Sequence, residues 1–171
     1  MTMDRSSSSC WREMSVEDLD AVLRVAEVVH PNYPEDRAVF AERLRLYPAG
    51  SRVLTEAENI LGYVVSHPWT YGAPPMLDSG LGAIPPAADS YYIHDIALLP
   101  AARGRGAALD VIAALLGHAA EARFATATLV AIAGTRPFWE ARGFRAVAVP
   151  QLAEKLASYD PSACYMSRPL A

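Results

Sequence analysis

Residues 103–108 read Arg-Gly-Arg-Gly-Ala-Ala and stand between a strand-like apolar run, 91–99, and an amphipathic helical run that reaches Phe124. A strand, a glycine turn and a helix start in that order aim several backbone N–H groups at one point. The unpaired donors of the first helical turn and the helix dipole then favour an anion, most often a phosphate. Gly104 and Gly106 let the chain pass close to such an anion with no Cβ in the way, and Arg103 and Arg105 add positive charge. The spacing predicts a pyrophosphate cradle. It is no Walker A loop, because no Gly-Lys-Ser/Thr follows. It is also a poor dinucleotide fingerprint: Pro100, Ala101 and Ala102 delay the glycines after the strand, and Leu109 stands where a third glycine belongs. The bland alternative is a helix start with two incidental arginines.

The elements that would position this cradle follow from periodicity. Residues 10–14 suit a short first strand. Ser15 with Asp18 makes a capping-box-like start, and Leu19, Val22, Leu23, Ala26 and Val29 keep helical spacing over 16–29. A second helix is expected over 35–47, then a hairpin of strands at 52–55 and 60–66. The segment 68–90 is long, carries Pro68, Pro74, Pro75, Pro85 and Pro86, and also holds Trp69, Tyr71, Met76 and Leu77. A connection of that length is usually functional or disordered, and its aromatics favour an ordered excursion that walls a pocket. After the cradle helix come a strand at 126–133, a short helix at 134–142 ended by Gly143, and strands at 145–149 and 163–167 joined by 150–162. The order gives an α/β (α+β) domain with a mixed, mostly antiparallel central sheet flanked by helices. One domain is expected over 10–171, after a disordered serine-rich leader at 1–9.

Composition narrows the function classes. The chain has 171 residues and a formal net charge of −4. It lacks the basic footprint of a nucleic-acid binder and is weakly suited to a cationic substrate such as an amine. Cys10 and Cys164 make neither a disulfide framework nor a metal cluster, so no metal is expected. No apolar run reaches the about 18 residues of a membrane span, and the N-terminus has no apolar signal core. Those features together suit a cytoplasmic protein that does not engage a membrane.

Two blocks give a resemblance. The strand, Pro100 and the run Arg103–Gly106–Ala108 resemble the signature of the GNAT superfamily of acyl-CoA-dependent N-acetyltransferases, in which Arg or Gln is followed three residues on by Gly and then by Gly or Ala. A second block, Pro137 to Phe144 with Phe138, Trp139 and the Gly143-Phe144 pair, is similar to the family's aromatic helix and the G-F pair behind it. The resemblance implies acetyl-CoA as cosubstrate, with its pyrophosphate on the backbone of Arg103, Gly104, Arg105, Gly106, Ala107 and Ala108. Its pantetheine arm would pair with the strand at Ile96, Ala97 and Leu98 and pass Phe138 and Trp139. The strands 91–99 and 126–133 would splay apart to admit the thioester, and a homodimer through a sheet edge or the last strands is an option many members take.

The implied reaction moves acetyl from acetyl-CoA to a primary amine of a small molecule or peptide by direct attack. It needs a base for the amine and a proton for the departing thiolate. His94 is the expected base: in arylalkylamine-type members histidines match the positions of Tyr92 and His94, and an imidazole titrates near neutrality. Strand alternation would put Tyr92, His94 and Ile96 on one face and Ile93, Asp95 and Ala97 on the other. A histidine hydrogen-bonded within the sheet is the structural alternative. The general acid departs from the family, since Trp139 stands at its usual tyrosine and an indole N–H cannot titrate. Tyr92, Tyr159, Tyr165 or water would have to serve, or the thiolate would leave unassisted. A third possibility is a catalytically weak acyl-CoA-binding or sensing module. The acceptor site would be lined by 30–36, 68–90 and 150–162, with Tyr33, Glu35, Trp69 and Tyr71 as candidate substrate residues and Asp36, Asp78 and Asp89 as further attractors of an ammonium group.

Overall fold

In the computed structural model, which describes residues 8–170, one seven-stranded sheet runs in the order β1-β2-β3-β4-β5-β7-β6. The strands are β1 (Cys10–Glu13), β2 (Ser51–Glu56), β3 (Asn59–Trp69), β4 (Ser90–Leu98), β5 (Thr126–Ala131), β6 (Arg145–Ala146) and β7 (Cys164–Pro169). The helices are α1 (Leu19–Val29), α2 (Arg37–Leu46), α3 (Ala107–Glu121), α4 (Arg136–Glu140) and α5 (Ala153–Tyr159). Every strand pair is antiparallel except β4 with β5. The expected leader falls, for residues 1–7, outside the described residues.

Helix starts are fixed by side chains the sequence supplies. Asp18 accepts the Ser15 N–H (2.8 Å) and a two-pronged contact from the Arg12 guanidinium at 2.7 and 2.8 Å. The arginine's hydrogen bonds, together with those of Ser15, outweigh burial and hold the Asp18 carboxyl down at about 2. α1 then buries Leu19, Val22 and Val25, one turn apart, against Tyr63, Val65 and Ala97 on one face of the sheet. α2 is capped by Asp36, which accepts the Ala38 N–H at 2.8 Å. α3 covers the opposite face, where Val111, Ile112, Leu115 and Ala119 meet Val64, Tyr91, Ile93, Trp139 and Phe144.

Three departures from the expected elements matter for the site. The connection 150–162 contains α5, started by a tight turn at Pro150. β6 is only two residues long, because after one more bond, from the Val147 N–H to the Tyr165 carbonyl, the chain turns off toward Pro150. Most important, β4 carries a bulge. Val65 pairs with Asp95 and Ser66 with Ile93, so His94 is an extra residue with no partner opposite. Simple alternation therefore fails here: Ala97 packs toward α1, while Ile93 and Ile96 pack on the α3 side. Ile96 does not share a face with His94, and Asp95 is not turned away from it.

Candidate functional site

β4 and β5 pair only from Tyr91–Ala127 to Ile93–Leu129 and then separate. The gap opens into two hollows that meet. The first is a groove lined by Ile96, Leu98, Arg103, Gly104, Gly106, Ala107, Ala108, Phe138 and Trp139, with Leu109 and Arg142 on its walls. The second, deeper hollow is lined by Tyr33, Glu35, Leu77, Tyr92, His94, Asp95, Val130 and Tyr159. His30, Ile96, Thr135 and Trp139 line both and mark the junction.

The groove fits an acyl-CoA. Gly104 and Gly106 lie at φ +74° and +82°, a region that costs other residues, and an added Cβ at either would stand in open space where a ligand would lie. No side chain caps the α3 N-terminus, so its first-turn N–H groups stay free for phosphate oxygens. Arg103 is tethered to the strand end through the Leu98 carbonyl (3.1 Å), and Arg142 lies 3.6 Å over the Phe138 ring, which stiffens the opposite wall. Two expected contributors fall elsewhere. Arg105 is drawn off by an ion pair with Glu56 (2.8 Å) and does not line the groove, and the Ala97 side chain is buried toward α1. Only their backbone could meet the cosubstrate.

In the deeper hollow the imidazoles pair with carboxylates. His94 Nε2 donates to Glu35 Oε1 at 2.8 Å, and both side chains are almost fully enclosed. Glu35 spends its other oxygen on the Asp78 N–H (3.1 Å), which ties the excursion between β3 and β4 to the loop after α1. His30, at the end of α1, forms an ion pair through Nε2 with Asp95 Oδ1 at 2.9 Å and hydrogen-bonds the Ile96 carbonyl at 3.3 Å. The Tyr63 hydroxyl donates to the other oxygen of Asp95. Burial works against a charged His30, but the Asp95 hydrogen bond and charge prevail and raise its pKa above 6.5. Burial likewise pushes the Asp95 carboxyl up, and its bond from His30 brings it below the usual value.

The excursion 70–89 is ordered, as its aromatics implied. Glu42 accepts the N–H groups of Leu81 (2.6 Å) and Gly82 (3.0 Å), and the buried Arg43 donates to the Ser79 carbonyl (3.0 Å). At its other end Lys155 and Tyr159 donate to the carbonyls of Pro74 and Pro75. Leu77 is thereby held over the hollow. Trp69 and Tyr71, expected at the substrate, instead pin this strap: Trp69 Nε1 donates to the Ala73 carbonyl (2.8 Å), and Tyr71 packs edge-on against Tyr165. Asp36, Asp78 and Asp89 are likewise absorbed, accepting backbone N–H groups at 2.8, 2.7 and 2.7 Å. The sequence could not foresee this, because a loop carboxylate looks the same whether it caps a backbone or attracts a ligand.

Tyr33, expected at the substrate, lines the hollow and donates to Asp160 (2.8 Å). Of the tyrosines considered as proton donors to the thiolate, Tyr92 lines the hollow but burial pushes its hydroxyl well above the usual value, and Tyr159 donates to Pro75 and is pushed up to about 12 by burial. Tyr165 receives the Gly72 N–H (2.9 Å) and lies outside the hollow. Among the described residues no group of three or more His, Cys, Asp or Glu is placed to hold a metal ion, and no helix is long and apolar enough to cross a membrane.

The profile of the acetyltransferase (GNAT) family matches residues 14–144. Among solved structures, Ard1 from Thermoplasma volcanium is 21% identical and superposes with a TM-score of 0.72, covering 95% of this chain and 98% of that one. The loading GNATL domain of CurA from Lyngbya majuscula gives 0.78 at 14% identity, with 95% and 98% covered. Naa50 from Arabidopsis thaliana, in complex with the bisubstrate analogue CoA-Ac-MVNAL, gives 0.67 at 13% identity, with 94% and 97% covered. At these identities the likeness is one of fold. No sequence among curated proteins matches. A cradle at the start of α3, a splayed β4–β5 pair and a profile spanning most of the chain lead to one conclusion: the chain belongs to the acetyltransferase (GNAT) family.

Proposed function

We propose that the protein transfers acetyl from acetyl-CoA to the primary amine of a small molecule or peptide, by direct attack and without a metal. The observation that carries this reading is the meeting of the two hollows at His30, Ile96, Thr135 and Trp139. One hollow suits a phosphate-bearing arm, and the other is a walled chamber with imidazoles at its base. When bound, acetyl-CoA supplies a thioester-activated acyl group and a thiolate that leaves. The residues of the cradle hold the pyrophosphate, Ile96 and Leu98 align the arm along β4, and Trp139 closes the junction from α4. His94, fixed by Glu35, takes the amine proton. Holding amine and thioester together supplies most of the acceleration.

Tyr33 and Glu35 belong to the acceptor wall. The strap over the chamber favours a compact amine over a long peptide, and Naa50's peptide-bearing analogue keeps the peptide class in the test. The second reading, an acyl-CoA-binding module without transfer, draws on the replacement of the family's tyrosine by Trp139. A thiol-release assay with acetyl-CoA and a panel of amines and peptide N-termini decides between them. Release with at least one acceptor is expected. Tight acetyl-CoA binding with no release for any acceptor supports the module and overturns the transfer reading.

A further inference from the structure

The reaction needs a proton at the departing sulfur, and Trp139 cannot give one. Resting on the transfer reading, we infer that His30, held by Asp95 and Tyr63, is the general acid that protonates the thiolate.

The argument starts from position. His30 lines both hollows at their junction, where the acyl group must pass, whereas His94 lines only the acceptor chamber. Orientation follows. Nε2 is committed between Asp95 Oδ1 at 2.9 Å and the Ile96 carbonyl at 3.3 Å, and Nδ1 makes no hydrogen bond among the described residues. Both Asp95 oxygens are occupied, one by His30 and one by the Tyr63 hydroxyl, so the carboxylate cannot swing away and the ring orientation is fixed. Asp95 is therefore the positioning residue and His30 the catalytic one. Glu35, Tyr33 and His94 complete the titratable surroundings: Glu35 adds negative charge from the loop after α1, Tyr33 meets the His30 ring edge-on, and His94 is itself occupied by Glu35. The Asp95 contact that raises the His30 pKa favours the protonated ring a general acid must present.

The step balances. The amine nitrogen bonds to the acyl carbon and passes its proton to His94. The C–S bond breaks with its electron pair on sulfur, and His30 gives the Nδ1 proton to that sulfur. Neutral His30 then keeps its Nε2–H on Asp95 until solvent returns a proton. The two imidazoles thus divide the acid and base roles across the junction, each oriented by its own carboxylate.

The test compares wild type, His30→Ala, His30→Gln and Asp95→Asn, using the best acceptor from the panel. In wild type, kcat should fall as pH rises through the His30 pKa. Both His30 variants should lose about 10²–10⁴-fold in kcat and lose that alkaline limb. Asp95→Asn should keep the limb and move it to lower pH, because the carboxylate no longer supports the imidazolium. A readout free of turnover is the His30 ring followed by NMR in the cofactor-free protein: it should titrate above 6.5 in wild type and lower in Asp95→Asn. Retained kcat and limb in His30→Gln, or an unmoved titration in Asp95→Asn, overturns the assignment while the transfer reading stands. A wild type that releases no thiol with any amine overturns both.

Discussion

At the scale of single residues, the site is built on carboxylates that face inward to imidazoles. Glu35 and Asp95 sit on different elements, yet each spends one oxygen on a histidine and the other on a donor that prevents drift. That arrangement fixes tautomers, since an imidazole that donates one N–H to a carboxylate presents its other nitrogen for proton transfer. His94→Ala is expected to lower kcat about 10²–10⁴-fold while acetyl-CoA affinity is unchanged, measured by thiol release and by titration of the cosubstrate. Unchanged turnover removes His94 from the reaction. The bulge is what makes both pairs possible. Were His94 a regular paired residue, strict alternation would turn Asp95 toward α3 and away from His30.

Among the elements, the strap 70–89 contributes Leu77 to the wall of the chamber. It crosses from α2 to α5 on hydrogen bonds rather than on a buried apolar face, so its stability is local. Glu42 alone holds two of its backbone N–H groups. Glu42→Ala should loosen residues 79–82, raise the acceptor KM and speed proteolysis within the strap, leaving acetyl-CoA binding as it was. Limited proteolysis and steady-state kinetics check this together. A KM that stays constant while the strap becomes cleavable would mean that the acceptor does not touch it. β4 and β5, by contrast, sit at the centre of the sheet and give the cosubstrate groove a rigid frame.

For the whole molecule, one buried histidine contributes an acid limit to stability. His67 is fully enclosed, and burial lowers its pKa from 6.5 to about 3, with its Nδ1 turned to the Pro68 carbonyl. The unfolded chain binds that proton below about 6.5, and the folded one resists it. Stability should therefore fall as pH drops from about 6.5 toward 3. His30 acts in the opposite sense, because its raised pKa adds stability that is present below 6.5 and lost as pH climbs through the raised value. Denaturant midpoints across pH 5 to 8 check both directions (about one His67 unit of proton linkage on the acid side). His67→Gln should flatten the acid slope, and an unchanged slope would move its origin to another group.

How much was legible before the fold was known depends on whether a feature is local. The glycine turn and helix start could be read because they lie within six consecutive residues and need no distant partner, whereas the fate of Arg105 could not, since it is drawn off to Glu56. The helices α1 and α3 and the central strands follow from spacing alone, while the family follows from the resemblance of two short blocks and the matching profile. The partners of His30 could not be read. Asp95 lies 65 residues further along the chain, and a one-residue bulge in β4 inverted the expected faces of Asp95 and Ile96. The same holds for Trp69, Tyr71, Asp36, Asp78 and Asp89, whose side chains the strap and its caps consume. The sequence alone determined a helix start with free N–H groups behind two left-handed glycines, a geometry suited to phosphate, because those groups are encoded where they are used. Only the tertiary structure decided which imidazole faces which carboxylate, because that pairing is set by strand register and helix docking between residues far apart in the chain.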